Sequence, residues 1–171
     1  MPRRLDYSAR YSLHTTKEVY AALANRELWD ARIEEMRKHS PNDLVSLDAG
    51  DHGIEVEMRH VLPRESLPDL ARSFWREDMV ITRRERWGAF GPETTGEYTT
   101  QLPGAPGTLG GDMRLFPTDT GCTLRTSSRA TVQIPFFGRK LEQLMLVNLV
   151  DLFRAEAEVT QRWLDQQHPV G

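Results

Sequence analysis

Residues 138–166 read GRKLEQLMLVNLVDLFRAEAEVTQRWLDQ. Leu141, Leu144, Met145, Leu149, Leu152, Phe153, Val159 and Trp163 recur there at the helical period. The spacing predicts one helix from about Gly138 to about Gln166, on the order of 40 Å long at about 1.5 Å per residue. Pro135 stops the element before it. A helix of that length can cross a whole sheet, and its apolar stripe needs one to cover it.

The preceding chain is rich in strand signals. Leu44 to Asp48 and Ile54 to Leu62 read as a hairpin around Ala49-Gly50-Asp51-His52-Gly53, with Ile54, Val56, Met58, His60 and Leu62 in one phase. Pro63 to Trp75 reads as a loop with room for a helical turn. Met79 to Trp87, Thr94 to Leu102, Leu109 to Phe116 and Cys122 to Ile134 are further strands, separated by Gly, Pro and Asp clusters with turn chemistry. Gly110-Gly111 inside a strand suggests a bulge or bend.

At the start, Leu5, Tyr7, Ala9, Tyr11 and Leu13 alternate with polar residues, the pattern of a half-buried strand. Thr15-Thr16-Lys17-Glu18 then supplies a hydroxyl N-cap with an acid in the first turn. A second short helix is expected from Glu27 to Lys38, with Leu28, Trp29, Ile33 and Met36 inside. The order is strand, two short helices, a run of antiparallel strands and one long helix. The fold class is therefore α+β, with a curved antiparallel sheet wrapped around the C-terminal helix.

This order, and the opening Thr15-Thr16-Lys17-Glu18-Val19-Tyr20-Ala21-Ala22-Leu23, resemble the START, polyketide-cyclase and birch-pollen-allergen (SRPBCC) superfamily. The resemblance runs from Leu5 to Gln166 and is closest to actinobacterial single-domain proteins of unknown function. It implies a helix-grip fold over residues 1–171, with a cavity between sheet and C-terminal helix for lipids, polyketides or other apolar molecules. Some relatives are cyclases or aromatases and others are carriers, so the resemblance alone does not choose between catalysis and binding.

The bulk numbers agree with a globular domain: 171 residues, 39% hydrophobic, 27% charged. A formal net charge of −3 gives no basic field for a nucleic-acid partner. The N-terminus lacks an apolar core after its arginines, and no segment is long and apolar enough to span a bilayer. The cytoplasm is the expected compartment. Cys122 is the single cysteine, so neither an intramolecular disulfide nor a cysteine zinc cluster can form. No histidine pair has metal-ligand spacing, no Gly-x-Ser-x-Gly elbow occurs, and Gly107, Gly110 and Gly111 do not make a phosphate loop. No cofactor is expected.

Three places hold polar residues in apolar phases. Asn148 and Glu156 share the stripe of the last helix. They either face the cavity and orient a ligand, or Asn148 bonds a loop carbonyl and Glu156 pairs with an arginine of the sheet. His60 sits in an apolar strand phase, as a bonded core residue or as the best proton-transfer group available. Arg83 and Glu85 interrupt the phase of Met79, Ile81 and Trp87, as a polar patch inside the cavity or as a surface ion pair. Tyr98 adds a hydroxyl. The candidate lining is Met58, His60, Ile81, Arg83, Tyr98, Met113, Met145, Asn148 and Leu152, with no catalytic or metal residue assigned.

Three functions fit. The first is a binder of a lipid-like or polyketide-like apolar molecule. The second is a cyclase, aromatase or dehydratase, which requires an acid–base set such as His60 with Glu85 or Tyr98 within hydrogen-bond reach of each other or of one substrate. The third is an interaction module whose pocket is filled by large side chains such as Trp29, Phe74, Trp75, Trp87, Phe136, Phe137 and Trp163.

Overall fold

The computed structural model describes residues 3–67, 69–73, 75–104, 107–136 and 138–169. Seven strands form one antiparallel sheet: β1 (Arg3–Ser12), β2 (Asn42–Gly50), β3 (Gly53–Leu62), β4 (Met79–Trp87), β5 (Thr94–Gln101), β6 (Gly107–Thr118) and β7 (Gly121–Val132). Their spatial order is β1-β7-β6-β5-β4-β3-β2. Strands β2 to β7 are a meander, and β1 joins its far end by pairing Arg3 with Ala130 and Ser12 with Gly121. Consecutive strands β1 and β2 thus lie at opposite edges. The chain between them, α1 (Thr16–Leu23) and α2 (Arg26–Arg37), must cross the width of the sheet, which curves to bring the edges within reach.

Local chemistry sets these helices. Thr15 caps α1 with a complete capping box, its Oγ1 accepting from Glu18 N while Glu18 accepts from Thr15 N. Asn25 caps α2 by accepting from Glu27 N. Helix α2 buries Leu28, Trp29, Ile33 and Met36, and also Arg32. The Trp29 indole donates to Leu23 O, which fixes the corner between the two helices.

A 3-10 turn (Arg64–Ser66) and the one-turn helix α3 (Asp69–Arg72) occupy the β3–β4 connection. The long helix α4 (Gly138–Gln167) runs along β1 and β7 and touches α1 and α2. Its buried face carries Leu141, Leu146, Leu149, Val159 and Leu164 together with Glu142, Glu156 and Thr160. Most of the core lies between this face and the sheet. A second cluster (Leu67, Val132, Ile134, Leu141, with Met145 and Trp75 beside it) closes the end near the start of α4.

Three expectations are corrected, and one lies partly outside the described residues. Leu13 leaves β1 with φ of 68° and is 68% exposed, because the chain turns there toward α1. Gly110-Gly111 makes no bulge, since β6 keeps an unbroken register with β5 and β7. Gly111 instead makes room for the Tyr98 ring opposite it, where a Cβ would come within 2.8 Å of a ring carbon and 2.4 Å of Ser127 O. Phe136 fills no pocket, being 99% exposed at the turn before α4. Phe74 and Phe137 lie outside the described residues.

Candidate functional site

The inward phase of β4 carries Met79, Arg83, Glu85 and Trp87, all buried. Alternation places the two charges in the middle of the sheet, under α4. From above, Arg83 Nη2 meets Glu156 Oε2 at 2.5 Å and stands 3.8 Å from Glu85 Oε1. The same nitrogen lies 3.1 Å from Met58 Sδ on β3, the cross-strand partner of Arg83. A second guanidinium comes from α2. Arg32 donates through Nε and Nη2 to Thr160 Oγ1 at 2.9 and 2.7 Å, and lies 4.7 Å over the Trp29 ring. The Thr160 hydroxyl in turn donates a hydrogen bond to Glu156 O, one turn earlier on α4.

The electrostatics divide the two carboxyls. Burial raises Glu85 above its ordinary value, with Glu156 adding to the rise and Arg83 opposing it. Burial pushes Glu156 the same way, but Arg83 and Arg32 outweigh it and hold that carboxylate below its usual range. The cluster therefore consists of an ionised Arg83–Glu156 pair beside a carboxyl that tends to keep its proton. The Tyr11 and Tyr98 phenols are pushed up to about 12, chiefly by burial, and stay neutral. Burial pushes the Cys122 thiol up to about 11, which favours the protonated form. Among the described residues no group of three or more His, Cys, Asp or Glu could hold a metal ion.

A cavity of about 40 Å³ lies beside the cluster. Tyr7, Ala9 and Tyr11 of β1, Glu85 and Trp87 of β4, Met113 of β6 and Thr126 of β7 form its floor, Arg32 reaches in from α2, and Phe153, Glu156 and Ala157 of α4 form its roof. It has space for on the order of three waters. Ordinary small-molecule sites occupy roughly 300–1,000 Å³.

The residues named from the sequence are distributed unevenly around this space. Met113 is in the cavity wall. Met58, Arg83 and Tyr98 are buried beside it, covered by Phe153: its ring meets Tyr98 edge-on at 5.7 Å and stands 5.9 Å from the Arg83 guanidinium. The Tyr98 hydroxyl donates to Ser128 Oγ at 2.6 Å. His60 is half-buried, pairs across the strands with Ile81, and bonds the Asn42 side chain. Among the described residues no hydrogen bond joins His60, Glu85 and Tyr98 to one another. Leu152 is half-buried against the main core, and Met145 belongs to the second cluster. Asn148 is corrected: it is exposed. It lies one residue, or roughly 100° of helix, from Leu149, whose side faces the sheet.

Arg32 was missed, although it falls in phase with Leu28, Trp29 and Met36 on the inner side of α2. A charge in an apolar phase was the available signal, as it was for Glu85 and Glu156. Tyr7 and Tyr11 were read only as strand residues, and nothing in their alternation distinguishes a cavity wall from filled core.

Comparison with known proteins agrees with the geometry. The family model described as Protein of unknown function (DUF2505) matches residues 6–164. The uncharacterized protein Rv0481c of Mycobacterium tuberculosis (strain ATCC 25618 / H37Rv) is 33% identical over 178 residues, covering 96% of this chain and 98% of its own. Among solved structures, TTHA0849 from Thermus thermophilus superposes with a TM-score of 0.62 at 13% identity, over 97% of this chain and 99% of that one. The di-domain ARO/CYC StfQ from the steffimycin biosynthetic pathway superposes with a TM-score of 0.61 at 15% identity, over 98% of this chain and 52% of its own. At such identities the structural likeness establishes the helix-grip fold alone. The family match and the mycobacterial relative reach further, and on them the chain belongs to the family described as Protein of unknown function (DUF2505).

Proposed function

We propose that this protein binds a small, largely apolar molecule between the sheet and α4, with the buried charged cluster orienting one polar group of that molecule. The observation that carries the reading is the position of the cluster. Arg32, Glu85 and Glu156 reach the one cavity wall that also carries Tyr7, Trp87, Met113 and Phe153. Four buried ionisable side chains cost stability that apolar residues of similar size would not, so their presence beside the cavity points to use. Arg83 Nε and Nη1 are buried without a hydrogen-bond partner, a further cost on the closed form that a ligand would relieve. Two of the three roof residues, Phe153 and Ala157, are only half-buried, so a ligand could displace them at less cost than fully buried core. That a neighbour in fold is an ARO/CYC protein of a biosynthetic pathway is consistent with a polycyclic or polyketide-like ligand.

The test is titration with the apolar fluorophore N-phenyl-1-naphthylamine. Saturable one-to-one enhancement is expected. Its absence, for this probe and for alkyl-chain probes, would favour the filled-pocket interaction module instead.

A second reading, proton-transfer catalysis, rests on Glu85. Its carboxyl tends to stay protonated and faces the cavity, which suits a general acid. Turnover of linear polyketide-like substrates, followed by mass spectrometry and lost in Glu85→Gln, would establish it over simple binding.

A further inference from the structure

The inner face of β3 and β4 holds a complementary set of unsatisfied polar atoms outside the cavity wall described above. Arg83 Nε, Arg83 Nη1 and His60 Nε2 are all buried, and none has a hydrogen-bond partner among the described residues. The register pairs Met58 with Arg83 and His60 with Ile81. Arg83 and His60 are therefore diagonal neighbours on one face of the sheet, about 7–8 Å apart at the backbone.

The protonation of His60 follows from its neighbour. Asn42 Nδ2 donates to Ser40 O at 2.7 Å, which orients the amide and leaves Oδ1 as the atom facing His60 Nδ1. A carbonyl oxygen only accepts, so Nδ1 carries the hydrogen, and in the neutral ring Nε2 is a bare acceptor. Burial, with Arg83 adding its charge, pushes His60 down to about 4, so the ring is neutral at physiological pH. The site thus presents two N–H donors from Arg83 and one acceptor from His60. An ether or ketone oxygen would satisfy Arg83 and leave His60 without a partner. A carboxylate would set a negative charge against the His60 lone pair and near Glu156 and Glu85. A hydroxyl accepts from Arg83 and donates to His60.

We propose that Arg83 and His60 form a hydroxyl-recognition subsite that selects apolar molecules bearing an alcohol or phenol over hydrocarbons and ethers of the same shape. The proposal rests on the ligand-binding reading and narrows its ligand class.

The test is calorimetric titration of the full chain with 1-naphthol, 1-methoxynaphthalene and naphthalene. The naphthol should bind at least tenfold tighter than either analogue, because a buried polar site rejects a ligand that leaves it unpaired. In His60→Phe, with folding checked by circular dichroism, that advantage should fall below about threefold, while the affinity for naphthalene is kept or gained. His60→Gln, which keeps an amide oxygen as acceptor, should retain part of it. Equal affinity of the wild-type chain for all three compounds would overturn the subsite and leave the ligand-binding reading standing. A naphthol advantage undiminished in both variants would remove His60 from it. Failure of all three compounds to bind would overturn the broader reading, and the subsite with it.

Discussion

Arg83 Nη2 donates to Glu156 Oε2 at 2.5 Å, tying the middle of β4 to α4 with both side chains buried. This pair is the only hydrogen-bonded ion pair among the described residues whose two side chains are both less than 10% exposed. The remaining ion pairs that reach hydrogen-bond distance have at least one exposed or half-exposed member and contribute little. The pair fixes where the helix sits over the sheet. It also fixes where charge stands beside the cavity.

Removing one partner should therefore be far worse than removing both. Glu156→Ala leaves buried Arg83 with only the more distant Glu85 carboxyl to oppose its charge, and should lower unfolding free energy by up to about 3–5 kcal/mol in urea titrations. Arg83→Met combined with Glu156→Leu should recover most of that loss. Equal losses in the single and double variants would show that the pair is not coupled as described.

The helix face can be checked residue by residue. Leu149→Ala, on the buried side, should cost about 2–5 kcal/mol. Leu152→Ala should cost less, since Leu152 is half-buried. Asn148→Ala should stay within about 0.5 kcal/mol, as expected of an exposed site. A loss at Asn148 matching that at Leu149 would mean that α4 is rotated about its axis and turns Asn148 toward the sheet.

Gly111 tests the seat of Tyr98. A Cβ there would meet Ser127 O and the Tyr98 ring, so Gly111→Ala should cost about 1–3 kcal/mol by overpacking. Gly91→Ala, with nothing within 4 Å of its Cβ, should be close to neutral by comparison. Thermal denaturation of the two variants separates these outcomes.

The acid side of the stability profile carries the signature of His60. Its folded pKa of about 4 lies below the ordinary 6.5, so the unfolded chain binds the extra proton between those values. Stability from this group is fully present above about 6.5 and is lost as pH falls toward 4, by at most about 3 kcal/mol. Glu85 acts with the opposite sign, because its raised pKa makes the folded state the tighter proton binder. Comparison with His60→Gln isolates the histidine: the wild-type chain should lose more stability than the variant between pH 6.5 and 4. Parallel profiles would show that His60 is not held neutral by the fold.

The architecture was legible because its elements repeat simple periods. Met79 to Trp87 was bounded correctly from alternation and turns, and the same alternation put Arg83 and Glu85 on the inner phase. The helical period gave the extent of α4 to within a residue. Pairing was legible only in kind: the reading in which Glu156 pairs with an arginine of the sheet holds, with Arg83 as the partner. Arg83 and Glu156 are 73 residues apart, and neither period says which charge of the sheet a helix residue will meet. The error at Asn148 has a related cause, since an apolar stripe read from leucines has no sharp edge, and Asn148 falls just beyond it. The small volume of the cavity depends on how Phe153 lies over Tyr98 and Arg83, a packing outcome that no pattern of residue types encodes.

The most direct test of ligand binding beneath α4 compares Ala157→Phe with Asn148→Trp. Ala157 forms part of the cavity roof, and Asn148 is on the outer side of the same helix. Affinity for N-phenyl-1-naphthylamine should fall at least tenfold in Ala157→Phe and stay unchanged in Asn148→Trp, with both variants folded by circular dichroism. Affinity unchanged by Ala157→Phe, or lost in Asn148→Trp, would contradict a ligand site between the sheet and α4.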